Sequence, residues 1–162
     1  MNLIPAHSQK HIPLVRDLFK EYAAWLGFDL CFQDFDRELA ELPGDYAPPT
    51  GRLLLAMEGN QVAGCVALRR FEDDDTCEMK RLYVRPAFRG RGIGRTLAIA
   101  IIDEARTIGY KRMRLDTVPS MTTAMSLYEM LGFRDVEPYR HNPIEGVRFM
   151  ELTLSGGEEA AS

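Results

Sequence analysis

Three glycines at alternate positions, Gly90, Gly92 and Gly94, lie between an apolar strand-like run and the longest amphipathic segment of this 162-residue chain. Glycine lets the backbone turn tightly and lets a ligand approach without side chains in the way. The amphipathic segment covers 92–108 and has apolar residues at three- and four-residue spacings, which predicts a helix. Because a helix N-terminus presents N–H groups that lack helical partners and a partial positive charge, we predict an anion site at this turn.

The charges around the turn favour the same interpretation. The chain has a formal net charge of −4, yet no Asp or Glu occurs between Met79 and Ile102. The basic residues of this stretch are Lys80, Arg81, Arg85, Arg89, Arg91 and Arg95. A positive patch on an acidic protein suggests a small anionic ligand, although a solvated basic face is an equal alternative on charge alone. The acidic net charge argues against binding of nucleic acid or of an anionic membrane by the whole molecule.

The rest of the hydrophobic pattern predicts an α/β domain. The predicted helices cover 8–26, with Ser8 as N-cap, and 34–42, 92–108 and 122–131; the predicted strands cover 52–57, 62–71, 76–84, 112–118, 134–139 and 147–154. Helices and a mixed sheet around one core are typical of this class.

The strand predicted over 76–84 does not keep its apolar residues on one face. Cys77 and Met79 alternate, whereas Leu82 and Val84 alternate one residue out of step. A slip of one residue in a two-residue period is what a β-bulge produces. The alternative is a central strand buried on both faces, for which the parity has little meaning.

Two known phosphate-binding glycine loops do not fit the turn. A P-loop requires Gly-x-x-x-x-Gly-Lys, and counting from Gly90 puts Arg95 where the second glycine belongs. The dinucleotide fingerprint Gly-x-Gly-x-x-Gly fails in both registers, at Arg95 and at Leu97. A turn with a purely structural role remains an alternative to a ligand site.

Two segments resemble motifs of the GCN5-related N-acetyltransferase (GNAT) family. The strand end over 82–86 followed by Arg89-x-x-Gly92-x-Gly94 and a helix resembles motif A, whose loop takes the pyrophosphate of coenzyme A. The segment over 124–133, Ala124-x-x-Leu127-Tyr128-Glu129-x-Leu131-Gly132-Phe133, is similar to motif B. The order and spacing of the elements agree with the family over about 3–154.

This resemblance implies a single GNAT domain over 1–154. The segment 155–162 is polar and contains glycine, which predicts a disordered tail. The resemblance further implies a mixed, mostly antiparallel sheet of about six to seven strands, flanked by about four helices. In the family, the central strand is bulged and splays from its neighbour, which agrees with the parity slip in 76–84.

The resemblance also implies where the acyl donor, acetyl-CoA, would bind, without a metal ion. The backbone amides of Arg89, Gly90, Arg91, Gly92, Ile93 and Gly94 would hold the pyrophosphate, with Arg95 close by. The pantetheine arm would lie along Leu82, Tyr83 and Val84. Met121 stands where many relatives carry an Asn that contacts the pantetheine.

Two residues match catalytic positions of the family. Tyr128 corresponds to the tyrosine that often protonates the departing thiolate, and Glu78 to a glutamate that serves as general base in some members. An alkylammonium has a pKa of ~10.4, so a base must take its proton before the nitrogen attacks. Asp116 is a rival base, and Glu78 could instead pair with Lys80 or Arg81. Tyr128 could instead be a core aromatic.

The predicted function is therefore acetylation of a primary amine, on a small molecule rather than on a protein. The acceptor should meet the strand ends, the first two helices and the loop over 140–146. A sensor that binds acyl-CoA without efficient catalysis is the alternative from another class, and nucleic-acid binding through the arginines is a third. A homodimer is common among the proteins that the chain resembles.

The cysteines and the N-terminal segment bear on location. Cys31, Cys65 and Cys77 are odd in number and lie among apolar neighbours, which predicts reduced, buried thiols and a cytoplasmic protein. No apolar run approaches the ~20 residues that cross a bilayer, and the first residues do not have the pattern of a signal peptide. The three histidines lack metal-ligand spacing.

Overall fold

The computed structural model describes residues 1–27, 34–119, 121–140, 142 and 144–154. The tail predicted to be disordered, 155–162, lies outside these residues, as does Cys31. The helices are α1 (Ile12–Leu26), α2 (Phe35–Glu41), α3 (Ile93–Ile108) and α4 (Thr122–Met130). The strands are β1 (Asn2–Pro5), β2 (Arg52–Glu58), β3 (Gln61–Phe71), β4 (Asp73–Val84), β5 (Arg112–Thr117), β6 (Arg134–Asp135) and β7 (Arg148–Thr153).

The seven strands form one sheet in the order β1-β2-β3-β4-β5-β7-β6. Every neighbouring pair is antiparallel except β4 and β5, which run parallel. The helix α3 makes the crossover between these two parallel strands, as a parallel connection requires. The predicted α/β class and the mixed, mostly antiparallel sheet with four helices are confirmed.

Helices cover both faces of the sheet. On one face, α3 packs on β2, β3 and β4 and shares a core cluster with α4, and the fully buried side chains there include Leu97, Ile101 and Met113. On the other face, α1 and α2 pack on β2 and β3, with Leu18 and Phe19 fully buried. Full burial of one such side chain contributes roughly 1.5–3 kcal/mol, so these two layers fix the sheet that carries the site.

The predicted bulge lies in β4, opposite β3. Ala67 pairs with Lys80 and Cys65 with Tyr83, so Arg81 and Leu82 together face one residue of β3. Arg81 takes a φ of 60°, in the left-handed region. The extra residue moves the inward face from odd to even positions, and this explains the parity slip in the sequence.

The two parallel strands, β4 and β5, separate after Glu78, before β4 reaches its bulge. Their register runs only from Thr76 opposite Arg112 to Glu78 opposite Arg114. The strand β4 continues to Val84 and β5 to Thr117, without further ladder pairs between them among the described residues. The predicted splay is thereby confirmed, and it opens a cleft within the sheet.

Several predicted element boundaries were wrong. The sequence prediction omitted β1, because four residues are too short for a period to emerge. The helix α1 begins at Ile12 with His11 as N-cap rather than at Ser8, and Pro13 occupies its first turn, where the missing N–H costs no helical bond. The strand predicted over 76–84 begins earlier, at Asp73, because Glu72 with a φ of 68° makes the turn from β3.

The last two predicted strands are also shorter in the structure. The strand β6 covers only Arg134–Asp135 instead of 134–139, and β7 covers Arg148–Thr153 instead of 147–154. Tyr139 is not in the ladder; its ring packs edge-on against Phe71 and Phe149, with centroids 5.1 and 5.0 Å away. These aromatic contacts hold the segment after β6 against the sheet face that α1 and α2 leave uncovered.

Candidate active site

The cleft between the separated ends of β4 and β5 is the centre of the candidate site. We call it the interstrand cleft. It is lined by Tyr22 and Leu26 of α1, Met79, Lys80, Arg81 and Leu82 of β4, Leu115, Asp116, Thr117 and Val118 at the end of β5, and Met121, Tyr128, Asn142 and Ile144. Because both strands are hydrogen-bonded on their outer sides, an elongated ligand can enter here and meet backbone groups that the splay leaves without strand partners.

The glycine turn lies at the end of β4 and opens α3. Gly90 and Gly92 have φ values of 82° and 76°, which strain any other residue, and Gly92 is the N-cap of α3. A Cβ built at either glycine would have no neighbour within 4 Å, so the space at both positions is open. The first helical bond runs from the Thr96 N–H to the Gly92 carbonyl, and the N–H groups of the preceding turn remain outside the helical ladder.

The arginines of the turn remain near its surface. Arg89 Nε donates to the Val84 carbonyl at 3.0 Å, and its guanidinium lies over Trp25 at 4.9 Å and over Tyr83 at 5.8 Å. Arg91 and Arg95 are exposed beside it. The structure thus brings the predicted pyrophosphate residues together in one loop, at the open end of β4, where backbone donors and positive charge coincide.

Tyr128 reaches the interstrand cleft from α4. Its side chain is 4% exposed, and its ring packs against Phe133 with centroids 5.6 Å apart. Burial raises the pKa of the Tyr128 hydroxyl above its ordinary range, and Tyr22 and Asp116 add to this effect. The hydroxyl therefore retains its proton across the physiological range, which is the state that a proton donor requires.

Glu78 occupies a different position from Tyr128. Its side chain is 1% exposed and is not among the described groups that line the cleft. Arg69 donates to Oε1 through Nε and Nη2 at 3.0 and 2.9 Å. Arg140 Nη2 forms an ion pair with Oε2, to which the Tyr139 hydroxyl donates at 3.3 Å. The sequence analysis considered only the neighbouring residues Lys80 and Arg81 as partners of Glu78. It missed Arg69 and Arg140, which are further from Glu78 in the sequence.

Electrostatics make this carboxylate a weak base. Burial on its own would raise the pKa of Glu78, but the positive charges of Lys80, Arg140 and Arg69 outweigh burial and lower it. The carboxylate is therefore ionised and stabilised in that form. A general base needs a pKa nearer the operating pH. This environment therefore favours a structural role for Glu78, as the counter-charge of the buried arginines.

Asp116 and Lys80 do line the cleft, on the two strands that separate. The Asp116 carboxylate accepts a 3.5 Å hydrogen bond from Asn142 Nδ2 and lies 3.9 Å from Arg140 Nη1. Lys80 is 7% exposed. Burial and then the charge of Arg81 lower the pKa of Lys80 to about 7, against the opposing effect of Glu78. The sequence analysis missed Lys80 as a cleft residue, although a lysine inside an apolar strand was a signal.

Arg81, at the bulge, forms an ion pair with α2. Its Nε and Nη2 donate to the two carboxylate oxygens of Glu38 at 2.9 and 3.0 Å. The guanidinium also lies 5.2 Å from the Phe35 ring centroid. Both oxygens of the Glu38 carboxylate are thus engaged by Arg81. This pair fastens α2 over the bulged strand.

Met121 takes the place where an Asn occurs in many proteins of the resembled family. It is 7% exposed, it is the N-cap of α4, and Thr117 Oγ1 lies 3.8 Å from its sulfur. Its thioether forms part of the cleft wall beside Tyr128. The position is therefore apolar here.

The described residues carry two further negative findings. They contain no group of three His, Cys, Asp or Glu side chains that could hold a metal ion. No helix among them has the length and apolar character to cross a membrane. Cys65 and Cys77 are free, buried thiols, and burial raises the pKa of each above its ordinary range.

Comparisons with known proteins agree with this geometry. The sequence model of the acetyltransferase (GNAT) family matches residues 13–133. An uncharacterized N-acetyltransferase of Schizosaccharomyces pombe is 45% identical over 139 residues, which is 85% of each protein. The N-acetylaspartate synthetase of Danio rerio is 38% identical over 100 residues, 61% of this chain and 36% of that protein.

A solved structure supports the fold. The GNAT family acetyltransferase of Elizabethkingia anophelis, whose crystal structure has acetyl-CoA bound, is 27% identical and superposes with a TM-score of 0.67. The match covers 94% of this chain and 97% of that one. With the bulged and splayed sheet, the glycine turn before α3 and a family match over most of its length, the chain belongs to the GNAT family of N-acetyltransferases.

Proposed function

We propose that the protein transfers the acetyl group of acetyl-CoA to a primary amine of a small molecule, by direct attack within a ternary complex. The observation that carries this proposal is the course of β4, whose Leu82 lines the interstrand cleft and whose end at Val84 leads to the glycine turn before α3. The turn offers donors for a pyrophosphate, and the cleft offers buried side chains for the reacting groups. The acetyl-CoA bound to the Elizabethkingia anophelis relative supports the choice of donor.

The donor would be held mainly by backbone groups. The amides over 89–94 and the partial positive charge of α3 suit a pyrophosphate, and Arg95 adds a nearby cation. Leu82, Tyr83 and Val84 form the part of β4 that β5 has left, so their free edge suits the amide groups of a pantetheine arm. When bound, acetyl-CoA supplies the activated acyl group, while these residues orient it in the cleft.

The acceptor ammonium must lose a proton before attack. Asp116 lines the cleft, has only long contacts to Asn142 and Arg140, and could take this proton directly or through water. The role of Glu78 as general base stays a prediction. Its enclosure by two arginines and its lowered pKa favour Asp116 instead.

Tyr128 is the proposed proton donor to the leaving thiolate. It lines the cleft and it holds its proton. A thiol has a pKa of ~8.5, so proton transfer from a tyrosine of higher pKa is uphill before reaction. It becomes feasible as negative charge develops on the sulfur.

Thiol release from acetyl-CoA tests the proposal. The purified chain would be incubated with acetyl-CoA and a panel of acceptors, namely small primary amines and peptides with a free N-terminal amine. The acetylated product would be identified by mass spectrometry. We expect turnover with small amines above peptides. Coenzyme A binding without any turnover would contradict the proposal and support the alternative of a non-catalytic sensor.

The glycine turn provides a prediction about the donor alone. In Gly92→Ala, the methyl group strains a backbone at φ 76° and enters the open space before α3, where the pyrophosphate would lie. We expect KM for acetyl-CoA to rise at least about tenfold, which corresponds to the loss of about one charge-assisted hydrogen bond. Steady-state kinetics with acetyl-CoA varied would measure it.

Gly109→Ala is the matched control, because Gly109 caps the other end of α3. Its φ is 109°, and a Cβ there also meets nothing within 4 Å. Both variants should lose about 1–2 kcal/mol of stability through the left-handed backbone. Only Gly92→Ala should weaken acetyl-CoA binding. An equal rise of KM in both variants would remove the glycine turn as the pyrophosphate site.

A further inference from the structure

We infer that Trp25, on the last turn of α1, is a positioning residue for acetyl-CoA, because its indole holds the guanidinium of Arg89 at the end of β4. The inference rests on the proposed function and adds a side chain of α1 to the donor site. The guanidinium carbon of Arg89 lies 4.9 Å from the centroid of the Trp25 ring, which is within the range of a cation–π contact.

Three contacts fix where the Arg89 guanidinium lies. Nε donates to the Val84 carbonyl at 3.0 Å, and the guanidinium lies over the ring of Trp25 and, at 5.8 Å, over that of Tyr83. Arg89 begins the glycine turn, whereas Val84 ends β4. The charge is therefore held where the two parts of the proposed donor site meet, the turn for the pyrophosphate and the strand edge for the pantetheine arm.

Trp25 is itself held against β4. Its ring lies 5.8 Å from the ring of Tyr83, which is 5% exposed. One turn earlier on the same helix, Glu21 accepts hydrogen bonds from Arg85 Nε and Nη2 at 3.1 and 2.7 Å. These contacts attach the last turns of α1 to the strand end, so the indole presents a fixed face to Arg89.

The pair is accessible to a ligand. Trp25 is 44% exposed, and Arg89 is also exposed. A guanidinium has several N–H donors, and phosphate oxygens are acceptors that it binds strongly. Among the described residues, the Arg89 hydrogen bond uses Nε alone.

The physical benefit of the indole is preorganisation. An arginine on an exposed turn loses side-chain freedom when it binds an anion, and this loss reduces affinity. The indole restricts the Arg89 guanidinium before the donor arrives, so less freedom is lost on binding. Trp25 would therefore strengthen donor binding without touching the reacting atoms.

The test is a double-mutant cycle on the affinity for coenzyme A. Isothermal titration calorimetry would be applied to the wild type, Trp25→Leu, Arg89→Ala and the double variant. We expect Trp25→Leu to raise the dissociation constant about three- to fivefold, the effect of one cation–π contact at an exposed site. Arg89→Ala should raise it at least about tenfold, the effect of one charge-assisted hydrogen bond. In the Arg89→Ala background, Trp25→Leu should have no further effect, because Trp25 acts through Arg89.

Two further variants serve as controls. Trp25→Phe keeps an aromatic face and should bind coenzyme A within about twofold of the wild type. Arg106→Ala removes an exposed positive charge from the last turn of α3, at the end away from the glycine turn. It should leave the dissociation constant unchanged. Circular dichroism of each variant would check that it is folded.

The emission of Trp25 provides a second measurement if Trp25→Leu does not fold. Trp25 is the single tryptophan of the chain, so its fluorescence reports on this site alone. Saturating coenzyme A should change the emission in the wild type, because Arg89 then also contacts phosphate. The change should be lost in Arg89→Ala, and an equal change in both proteins would contradict the inference.

Two outcomes of the cycle would overturn the inference. One is an unchanged or lower dissociation constant in Trp25→Leu. The other is an equal loss from Trp25→Leu with and without Arg89, which would make Trp25 a packing residue of α1. The cycle measures binding and needs no turnover. Coenzyme A binding without acetylation of any amine would therefore contradict the proposed function and leave the cycle to decide the inference, whereas a wild type that does not bind coenzyme A would contradict both.

Discussion

Replacement of Tyr128 by Phe is expected to lower kcat about 100-fold or more, with KM for acetyl-CoA within about twofold of the wild type. The substitution removes only the hydroxyl from a side chain that is 4% exposed and lines the interstrand cleft. General acids contribute about 10²–10⁴-fold to catalysis. Because the glycine turn and the edge of β4 are unchanged, acetyl-CoA should bind as before. Thiol release under saturating substrates would measure the loss of kcat.

The pH profile separates an acid from a packing residue. An acid acts in its protonated form, and its contribution is lost as pH rises through its pKa. Since burial raises the pKa of Tyr128, the wild type should show no loss attributable to this hydroxyl at pH values up to about 9. The defect of Tyr128→Phe should therefore be of similar size from pH 6.5 to 9.

Tyr110→Phe is the matched control for this substitution. Tyr110 is also 4% exposed, and its hydroxyl donates to the Thr50 carbonyl at 2.6 Å, away from the residues that line the cleft. Its loss should cost about 1 kcal/mol of stability and leave kcat unchanged. Unchanged turnover and an unchanged pH profile in Tyr128→Phe would refute the assignment of Tyr128 as the acid.

Local sequence signals were sufficient to predict the helices and strands whose apolar residues recur with a regular period. The bulge of β4 was predictable because Cys77 and Leu82 both face the α3 side of the sheet, although they differ in parity. The turn before α3 was predictable because its glycines and arginines are consecutive. By contrast, β1 is only four residues long and pairs with β2, which lies about fifty residues further along the chain. Its strand character depends on that partner.

The surroundings of the site depend on contacts between distant segments. Glu78 had a predicted catalytic role because of its spacing from the glycine turn, but that spacing says nothing of Arg69 and Arg140. Likewise, nothing in the sequence around Lys80 shows that Asp116 of β5 lines the same cleft. Sequence motifs therefore predicted a donor site, whereas the charges that line the cleft required the folded arrangement.

Glu78→Gln is expected to lower the free energy of unfolding by about 3 kcal/mol at pH 7. The amide has nearly the same shape, but it leaves the guanidinium groups of Arg69 and Arg140 without their buried counter-charge. Removal of one partner of a buried ion pair typically costs 3–5 kcal/mol. The lower end applies because the Arg69 side chain is 27% exposed and can be partly solvated. Urea unfolding followed by circular dichroism would measure the change.

The dependence of this loss on pH follows from the lowered pKa of Glu78. Burial opposes the ionised form, yet Lys80, Arg140 and Arg69 stabilise it more, so the folded protein holds the carboxylate below its usual value of 4.5. The stabilisation is therefore present above pH 4.5 and is lost as pH falls through the folded pKa. The difference between the wild type and Glu78→Gln should shrink in acidic solution, as the carboxylate is protonated. It should also shrink as pH rises through the Lys80 pKa of about 7, because Glu78 then loses one of its counter-charges.

Asp135→Asn provides the control, because Asp135 also accepts two hydrogen bonds from one arginine, Arg148, at 2.8 Å each. The Asp135 side chain is 63% exposed, so its loss should cost less than about 1 kcal/mol.

The same Glu78→Gln protein also distinguishes the two candidate bases. Retention of kcat within about threefold, together with the large loss of stability, would make Glu78 a structural anchor and leave Asp116 as the base. A fall in kcat of about 100-fold at full folding, without the loss of stability, would instead restore Glu78 as the group that accepts the proton of the amine.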